Sequence, residues 1–325
     1  MRVLVAGGAG YIGSVMVERL LAESAEVIVY DNLSTGHRAA VPAAATFVRG
    51  DLSDVSLLRA TLERHPVDAA MHFAAFIQAG ESMERPQRYF ANNVASVIGL
   101  LNVLVEQGVR RIVFSSSAAV YRDGAKQPLV EDAPVEPANP YGETKAMVER
   151  ILAWYDRLLG LRYASLRYFN AAGATRERGE DHRPESHLIP LILRSALGYE
   201  GTLTLHGTDY PTADGTCVRD YVHVADLAEA HLLALRRIDQ GSLVCNLGTE
   251  TGHSVREVVE VVRQVTGRPV PVTEGPRRAG DAVALVASSR RARELLGWQP
   301  GRSDLQTIVE TAWEWQSSHP KGYCD

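Results

Sequence analysis

The sequence predicts an α/β fold in which a doubly wound parallel sheet is followed by a smaller α/β domain. Three observations predict it. Short β-branched runs alternate with helical patterns over the first 170 residues, a glycine-rich turn follows the first of those runs, and the later residues carry short helices between long loops. Strands that alternate with helices form parallel sheets with helices on both faces. The length of 325 residues suggests about two domains.

The first half begins with an apolar run, 3–6, and a segment, 11–23, whose apolar residues recur every three to four positions as in an amphipathic helix. Four of the fifteen prolines lie within 121–140, which predicts a loop there. We interpret 1–169 as the sheet-forming domain. Its further strands are predicted at 26–30, 46–48, 69–73, 111–115 and 163–167, and its further helices at 87–107 and 141–159.

The second half, 170–325, predicts a smaller α/β domain. Loops rich in Gly, Thr, Asp and Pro separate its short elements. Parts of 215–250 could return to the first sheet, because they follow the same strand–helix pattern. The expected helices are 188–198, 226–237, 254–266, 290–296 and 304–316, and the expected strands are 202–205 and 243–246.

Composition excludes several classes of partner. The net charge of −5 leaves no broad basic field, so we expect no nucleic-acid partner and no membrane surface. The three cysteines contain no C-x-x-C pair, which favours a reduced, cytoplasmic protein. No run approaches the ~18 apolar residues of a membrane span, and the first apolar run is too short for a signal peptide. We expect no metal-binding cluster, since Glu180-Asp181-His182 is interpreted as a solvated loop.

The glycine-rich turn carries Gly7, Gly10 and Gly13 between the first predicted strand and the first helix. Glycines at this spacing let a pyrophosphate approach the helix N-terminus, which indicates a Rossmann-type dinucleotide site. Asp31, after the second strand, can accept hydrogen bonds from the adenosine ribose, and its charge would repel a 2′-phosphate. The sequence therefore favours NAD over NADP. Asp51, after the third strand, is either an adenine-site residue or the N-cap of the next helix.

Tyr141 and Lys145 lie four residues apart, on one face of the same predicted helix. The chain holds only three lysines among its 34 basic residues, so such a pair rarely arises by chance. A buried ammonium beside a positive nicotinamide would lower the pKa of the phenol, which makes Tyr141 a candidate base for a substrate hydroxyl. Three serines, 115–117, end the preceding strand, and one of their hydroxyls could hold the same oxygen.

Together, the turn at 7–13, Asp31-Asn32, the serines at 115–117 and Tyr141-x-x-x-Lys145 resemble the extended short-chain dehydrogenase/reductase family. Further strings, spread from residue 1 to about 316, resemble the nucleotide-sugar 4-epimerases of that family. These strings are Gly7-Gly-Ala-Gly-Tyr-Ile-Gly-Ser14, His72-Phe-Ala-Ala75, Asn92-Asn-Val94, Arg167-Tyr-Phe-Asn170, His187-Leu-Ile-Pro190, Asp209-Tyr-Pro-Thr212 and Val218-Arg-Asp-Tyr-Val-His-Val224.

The resemblance implies a role for each matching residue. Tyr141 would exchange the proton, Lys145 would support it and bind the nicotinamide ribose, and Ser117 would hold the sugar oxygen. The implied cofactor-binding set is Gly7, Gly10, Tyr11, Ile12, Gly13, Asp31, Asn32, Asp51, Leu52, Phe73, Ala74, Ala75, Asn92, Tyr141, Lys145 and Phe169. The implied substrate-binding set is Ser117, Tyr141, Asn170, His187, Leu188, Arg219, Arg278, Asp281 and Leu285.

The implied activity is the reversible inversion of C4 in UDP-glucose and UDP-galactose, through a 4-keto intermediate and tightly bound NAD, in a homodimer. Residues 170–325 would bind the UDP-sugar. Leu285 would face the 2-substituent of the sugar, where its intermediate size would admit UDP-N-acetylhexosamines, unless it is a core leucine. Dehydratases of the family carry an acidic residue beside the serine turn, where this chain has Ala118 and Ala119. Two alternatives stay open: a nucleotide-4-keto-sugar reductase, and a non-catalytic NAD-sensing protein on the same scaffold.

Overall fold

A seven-stranded parallel sheet forms the centre of the protein. The computed structural model describes residues 1–199, 201–278 and 281–324. The order of the strands is β11-β6-β5-β4-β1-β2-β3, and every neighbouring pair is parallel. The strand order reverses between β1 and β4, the point at which ligands bind in open α/β sheets. The strands are β1 (Arg2–Ala6), β2 (Glu26–Asp31), β3 (Thr46–Arg49), β4 (Ala69–His72), β5 (Arg111–Ser117), β6 (Arg162–Tyr168) and β11 (Leu243–Leu247).

Helices cover both faces of this sheet. In β1, Val3 and Val5 pack into one hydrophobic cluster while Leu4 and Ala6 pack into the other, because successive side chains of a strand point to opposite faces. Helices α1, α8 and α10 cover the first face, and α2, α5 and α6 cover the second. The predicted doubly wound α/β fold is confirmed. The helices are α1 (Tyr11–Ala22), α2 (Val55–Arg64), α3 (Ala79–Glu84), α4 (Pro86–Phe90), α5 (Ser96–Glu106), α6 (Pro140–Leu159), α7 (Leu188–Leu197), α8 (Val224–Arg237), α9 (Val255–Thr266), α10 (Arg290–Leu296) and α11 (Leu305–Ser318).

The second half adds three small sheets to this core. Helices α7, α9 and α11 pack together around Ile192, Val258 and Ile308, which are fully buried. Most of the small strands, and helix α3, escape prediction because two to six residues carry too little periodicity. The small sheets pair β7 (Asn170–Ala172) with β10 (Tyr221–His223), β9 (Val218–Arg219) with both β12 (His253–Ser254) and β14 (Ala284–Leu285), and β8 (Leu203–His206) with β13 (Val272–Gly275).

Strand β11 returns to the central sheet, where Leu243 lies opposite Ala164 of β6. Helix α10 and the fully buried Trp298 belong to the same hydrophobic cluster as β1. The indole Nε1 of Trp298 donates to the Asp226 carbonyl at the start of α8. Segments from the second half therefore complete the first core, and the division of the chain at 169/170 stays a prediction.

The helix predicted at 87–107 is divided by a π-helical turn, Ala91–Ala95, between α4 and α5. Over the described ranges, Pro86–Glu106 is the one helix that is long and apolar enough to cross a membrane by length and composition. Half of it is buried inside the protein, and Leu100, Leu101 and Leu104 have no exposed surface. Burial of this kind is typical of a core helix.

Candidate active site

The glycine-rich turn lies at the carboxyl end of β1 and leads directly into α1. Gly7 has a φ of 81°, and a Cβ there would lie 2.4 Å from the backbone nitrogen of Ala74. A Cβ on Gly13 would lie 2.1 Å from the Gly7 carbonyl oxygen. Any larger residue would force the turn and the helix apart. The N-terminus of α1 therefore opens at the end of the sheet, where its unpaired N–H groups favour an anion.

A pocket of about 580 Å³, including open space at its mouth, lies beside this turn. It is formed at the carboxyl ends of β1, β2, β3 and β4. Ten of the residues expected to contact the cofactor line it together: Gly7, Gly10, Asp31, Asn32, Asp51, Leu52, Phe73, Ala74, Ala75 and Asn92. Gly50, which precedes Asp51 at the end of β3, also lines it, and sequence reasoning missed five further lining residues: Tyr30, Ser34, Thr35, Gly36 and Phe76. The small polar run that follows Asp31 was the available signal, since it continues from the same edge of the sheet.

Asp31 joins the glycine-rich turn to the end of β2. Its carboxylate accepts hydrogen bonds from the Ala9 nitrogen at 2.9 Å and from the Leu33 nitrogen at 2.8 Å. Burial raises its pKa, an effect that these two hydrogen bonds oppose. A carboxylate has about four lone-pair positions, so two remain for a ligand.

Asp51 faces the same pocket, and the structure removes one of its two interpretations. The N-cap of α2 is Asp54, whose side chain accepts from the Leu57 nitrogen at 2.9 Å. Asp51 instead accepts from Asn32 Nδ2 at 2.6 Å and from Ser53, and the Ser53 hydrogen bonds lower its pKa. Asp51 is therefore a charged group of the pocket rather than a helix cap.

Helix α6 carries Tyr141 and Lys145 close to this pocket. Its N-cap, Asn139, accepts from the Gly142 nitrogen at 2.9 Å. A Cβ on Gly142 would lie 2.1 Å from the Ala119 carbonyl oxygen, so the first turn of α6 packs tightly on the turn after β5. Asn93 connects the helix to the pocket. Its side chain accepts from the nitrogen of the pocket residue Phe76 at 2.9 Å and donates to Thr144 Oγ1 of α6 at 3.3 Å.

The Ser117 side chain interacts with the Tyr141 hydroxyl and lowers its pKa. The other two serines of the run are engaged elsewhere. Ser115 Oγ bonds to the Tyr168 hydroxyl, and Ser116 Oγ donates to Glu149 Oε1 at 2.6 Å. Ser117 is thus the serine of this run whose hydroxyl meets the candidate base.

The expected lowering of the Tyr141 pKa by Lys145 is not found. Burial raises the pKa of Tyr141, and the hydrogen bond with Ser117 lowers it in part. Lys145 Nζ lies 5.8 Å from the centre of the Tyr141 ring and donates to the Ser115 carbonyl oxygen at 2.8 Å. Burial also lowers the pKa of Lys145 to about 7, against the opposing charge of Glu149. Removal from water is therefore the larger effect on both groups.

A buried ion pair holds α6 against β6. The Arg167 guanidinium donates two hydrogen bonds to Glu149 from Nε, at 2.9 and 3.2 Å, and a third from Nη2 at 2.5 Å. Arg167 also donates to the Tyr121 hydroxyl at 3.0 Å, which in turn donates to Asn246 of β11. Breaking a buried pair of this kind is strongly destabilising, so the pair fixes the helix that carries Tyr141.

Several residues expected to bind substrate meet around β9 and β14. Arg219 lies opposite Leu285 in the pairing of these strands, and its Nη2 is 3.6 Å from Asp281 Oδ1. Its Nη1 donates to the carbonyls of Val218 and Ala282. Asn170 Nδ2 donates to the Asp220 carbonyl at 2.9 Å, in the chain segment next to Arg219. Arg278 is exposed, and its carbonyl accepts from the Asp281 nitrogen.

The loop before α7 brings together four titratable side chains: Glu180, His182, Glu185 and His187. Their ligand atoms lie within 4.8 Å of one another, a spacing at which a metal ion could be held. The expectation of a solvated loop without such a cluster is wrong, because the side chains of Glu180 and Glu185 are only 8% and 5% exposed. Ion pairs within the cluster account for this burial, and we assign no metal to it.

Known proteins resemble this chain over its whole length. Residues 3–248 match the model of the NAD dependent epimerase/dehydratase family. The chain belongs to that family. A UDP-glucose 4-epimerase of Streptomyces lividans is 53% identical to it, over 99% of this chain and 98% of the relative. The crystal structure of a Brucella ovis UDP-glucose 4-epimerase in complex with NAD is 46% identical, has a TM-score of 0.93, and covers 96% of this chain and 97% of the other.

A solved structure of lower sequence identity also superposes on the chain. The UDP-Glc/GlcNAc 4-epimerase of Campylobacter jejuni is 38% identical, has a TM-score of 0.86, and covers 98% of this chain and 99% of the other. The three similarities span both halves of the protein. They therefore include the regions of Tyr141 and of the second-half sheets.

The pocket fits the NAD on which this family depends. The crowding at Gly7 and Gly13 leaves no room for side chains beneath a pyrophosphate, and the buried Asp31 keeps two acceptor positions available. Six residues of the implied cofactor set lie outside the pocket lining: Tyr11, Ile12, Gly13, Tyr141, Lys145 and Phe169. The Tyr11 hydroxyl donates to the Gly173 carbonyl, and Phe169 packs against the cluster that contains Leu129. Their cofactor roles stay predictions.

Proposed function

We propose that the protein interconverts UDP-glucose and UDP-galactose by inverting C4 of the hexose, with NAD retained throughout. The observation that carries this proposal is the placement of Tyr141 with the interacting Ser117 side chain on elements that adjoin the dinucleotide pocket. The high identity to the Streptomyces lividans UDP-glucose 4-epimerase over nearly the whole chain supports the same activity.

In this proposal the hydroxyls of Tyr141 and Ser117 both contact the sugar 4-hydroxyl and have different roles. Tyr141, reacting as the ionised phenolate, accepts its proton, while Ser117 donates to the same oxygen and holds it in position. When bound, NAD supplies reversible hydride chemistry at C4. Tyr141 later returns the proton to the 4-oxygen once the opposite face of the sugar has been presented. The sugar is neither oxidised nor reduced overall, so the enzyme is an isomerase.

The same proposal requires a firm hold on the nucleotide while the 4-keto sugar turns. Binding groups far from the reacting carbon supply that hold. Arg219 and Arg278 suit the diphosphate, because a guanidinium can donate two hydrogen bonds to phosphate oxygens. The remaining contacts are assigned to Asn170, His187, Leu188 and Asp281, on the resemblance described above.

The test is to incubate the purified protein with UDP-galactose, without added cofactor, and to assay for UDP-glucose. We expect UDP-glucose to accumulate to an equilibrium, with no net change in absorbance at the NADH band. Turnover that depends on added NADPH would support the reductase instead. Tightly bound NAD without any sugar turnover would support the sensing protein.

We further propose UDP-N-acetylglucosamine as a secondary substrate. Leu285 packs against a small cluster that includes Tyr121, Leu129 and Ala146, on the strand that pairs with Arg219. A leucine at a sugar-facing position leaves more space than a tyrosine. The Campylobacter jejuni protein, which is named for both UDP-Glc and GlcNAc, superposes on the whole chain and supports the idea.

A homodimer through α5 and α6 completes the proposal. Trp154, Leu158 and Leu159 on α6 are 57%, 68% and 46% exposed, and Ile98 on α5 is 36% exposed. Trp154 and Leu158 are one helical turn apart and therefore share a face. Contiguous exposed apolar side chains mark interaction surfaces.

We also place the protein in the cytoplasm. The three cysteines, Cys217, Cys245 and Cys324, are free, and the first two are buried. Free buried thiols are typical of proteins in a reducing compartment.

A further inference from the structure

Two buried carboxylates converge on one nitrogen of a histidine at the start of α7. His187 Nδ1 lies 2.8 Å from Glu180 Oε1 and 2.8 Å from Glu185 Oε1. The carboxylates are nearly inaccessible, whereas the His187 side chain is 40% exposed. The cluster is therefore built with its acidic part inside and its imidazole towards solvent.

Glu185 also fixes the backbone that carries the ring. Its Oε1 accepts from the nitrogens of Ser186 and His187, each at 2.8 Å. The same carboxylate oxygen thus holds both the main chain and the Nδ1 side of the imidazole. With two χ angles to restrain, these contacts leave the ring little freedom to rotate.

His187 is the N-cap residue of α7, which has ten residues. The N-terminus of a helix carries partial positive charge and unpaired N–H groups. Over the described ranges, no hydrogen bond involves His187 Nε2. A protonated imidazole at this place therefore has one donor left, beside a helix end that also favours an anion.

We propose that Glu180 and Glu185 are positioning residues that hold the His187 imidazole protonated and turned so that its Nε2–H donates to the diphosphate of the UDP-sugar. This inference rests on the proposed function, in which His187 contacts the nucleotide. Neither glutamate touches the substrate. Their part is to provide a fixed cation where a free histidine at neutral pH would be mostly neutral.

The charges around the cluster agree with this role. The charge of Glu180 raises the pKa of His187 to about 11, and although burial raises the pKa of Glu180, the charge of His187 lowers it to about 2. From a neighbouring element, Tyr11 of α1 faces both carboxylates, and burial raises its pKa, so it stays neutral. His182 is the remaining titratable side chain of the cluster, and the centre of its ring is 5.0 Å from that of His187.

The experiment compares the binding of UDP and uridine by calorimetry at pH 6 and pH 8.5. Uridine lacks the phosphates, so the ratio of the two affinities isolates the diphosphate contact. The proteins are wild type, Glu180→Gln, Glu185→Gln and Glu185→Asp, with Glu177→Gln as a matched control. Glu177 lies on the same loop, and its side chain is 65% exposed.

At each of the two pH values, we expect Glu177→Gln to show the same preference for UDP over uridine as the wild type. In each Gln variant, His187 loses one of its two carboxylate partners, so a larger fraction of it should lose its proton as pH rises from 6 to 8.5. Their preference for UDP should fall by ~10-fold at pH 8.5, the worth of one charged hydrogen bond, and recover at pH 6. Glu185→Asp keeps the charge and should recover most of the loss.

The inference is overturned if the Gln variants prefer UDP over uridine as strongly as the wild type does at both pH values. If the Gln variants do not fold, the titration of His187 in the wild type, followed by NMR with His187→Asn for assignment, decides the matter: a neutral ring at pH 8.5 overturns it, and a charged one supports it. The proposed function fails separately, if the wild type binds UDP no better than uridine or leaves UDP-galactose unchanged.

Discussion

The ammonium of Lys145 donates to the backbone carbonyl of Ser115, at 2.8 Å, and so ties α6 to the end of β5. The lysine is one turn after Tyr141 on α6, but its nitrogen is 5.8 Å from the centre of that ring. No lowering of the phenol pKa by the lysine is found, and burial is the larger effect on the pKa of both groups. The protonation of the pair therefore depends on how much water the site excludes.

Replacing Tyr141 by Phe should lower kcat by at least ~10²-fold, the usual worth of a positioned base. The change removes one hydroxyl and keeps the ring, so the protein should stay folded with NAD bound. The measurement is the rate of UDP-glucose formation from UDP-galactose, with the NAD content of the purified variant. Tyr199→Phe, at an exposed position, is the control. Activity of Tyr141→Phe within a few-fold of wild type would remove Tyr141 from the role of base.

Lys145 should make the stability of the cofactor-free protein depend on pH. Burial lowers its pKa to about 7 in the folded protein, whereas an unfolded lysine titrates near 10.4. Between these values the unfolded chain binds a proton that the folded chain has lost, so folding becomes more favourable as pH rises. We expect wild type to gain up to about 1.4 kcal/mol per pH unit relative to Lys145→Met between pH 7 and 9. Urea unfolding at three pH values measures it, and parallel curves for the two proteins would contradict it.

Asp31 should make the protein choose NAD over NADP. A buried carboxylate that faces the adenosine ribose repels a 2′-phosphate, and like charges in contact cost several kcal/mol. Wild type should bind NAD at least ~10-fold more tightly than NADP, and Asp31→Asn should narrow that ratio. Asp51→Asn, in the same pocket, should weaken both cofactors alike. Equal affinities of the wild type for the two cofactors in a fluorescence titration would refute the ribose assignment.

Leu285 should set the breadth of the sugar site. Leu285→Tyr should lower the rate with UDP-N-acetylglucosamine by ~10-fold or more and spare UDP-galactose, since a pocket wall that differs by a few carbons is worth ~1–3 kcal/mol. The rates with both substrates are compared for wild type and variant. The same change at Leu295, which is exposed on α10, should affect neither. If wild type does not turn over the N-acetylated sugar, or if Leu285→Tyr slows both reactions equally, Leu285 does not line the site.

The apolar face of α6 should hold two chains together. Leu158→Glu places a charge on the helix that carries the exposed Trp154 and Leu159, and should convert a dimer into a monomer without unfolding it. Sedimentation equilibrium measures the mass of the species in solution. Leu295→Glu is the control, because it changes an exposed leucine on a different helix. A dimer that survives Leu158→Glu would place the interface elsewhere.

Much of the nucleotide-binding half could be predicted because its signals are local. The bounds of β1, α1 and β2 differ from the predicted ones by one residue at most at every end. Continuous apolar runs identify strands buried on both faces, and close glycines identify a turn that tolerates no side chain. The pair Tyr141 and Lys145 is likewise visible from its spacing alone.

Other features depend on residues that are distant in the sequence. Strand β11 has the same apolar pattern as any buried strand, and only its pairing with β6 shows to which sheet it belongs. The burial of Glu180 and Glu185 could not be predicted, because polar residues in a glycine-rich loop are usually solvated. Their partner His187 and the neighbouring Tyr11 of α1 make that burial possible.

The sequence by itself determined the doubly wound sheet, the dinucleotide turn and the Tyr141–Lys145 pair, because the spacing of residues within a short segment predicts each of them. The tertiary structure alone decided that Ser115 and Ser116 bond to Tyr168 and Glu149, whereas Ser117, the serine that the family resemblance implied, interacts with Tyr141. It also decided that burial, rather than the lysine charge, dominates the pKa of Tyr141. Both outcomes depend on which groups from distant segments surround an atom and on how much water they exclude, and those quantities exist only once the chain has packed.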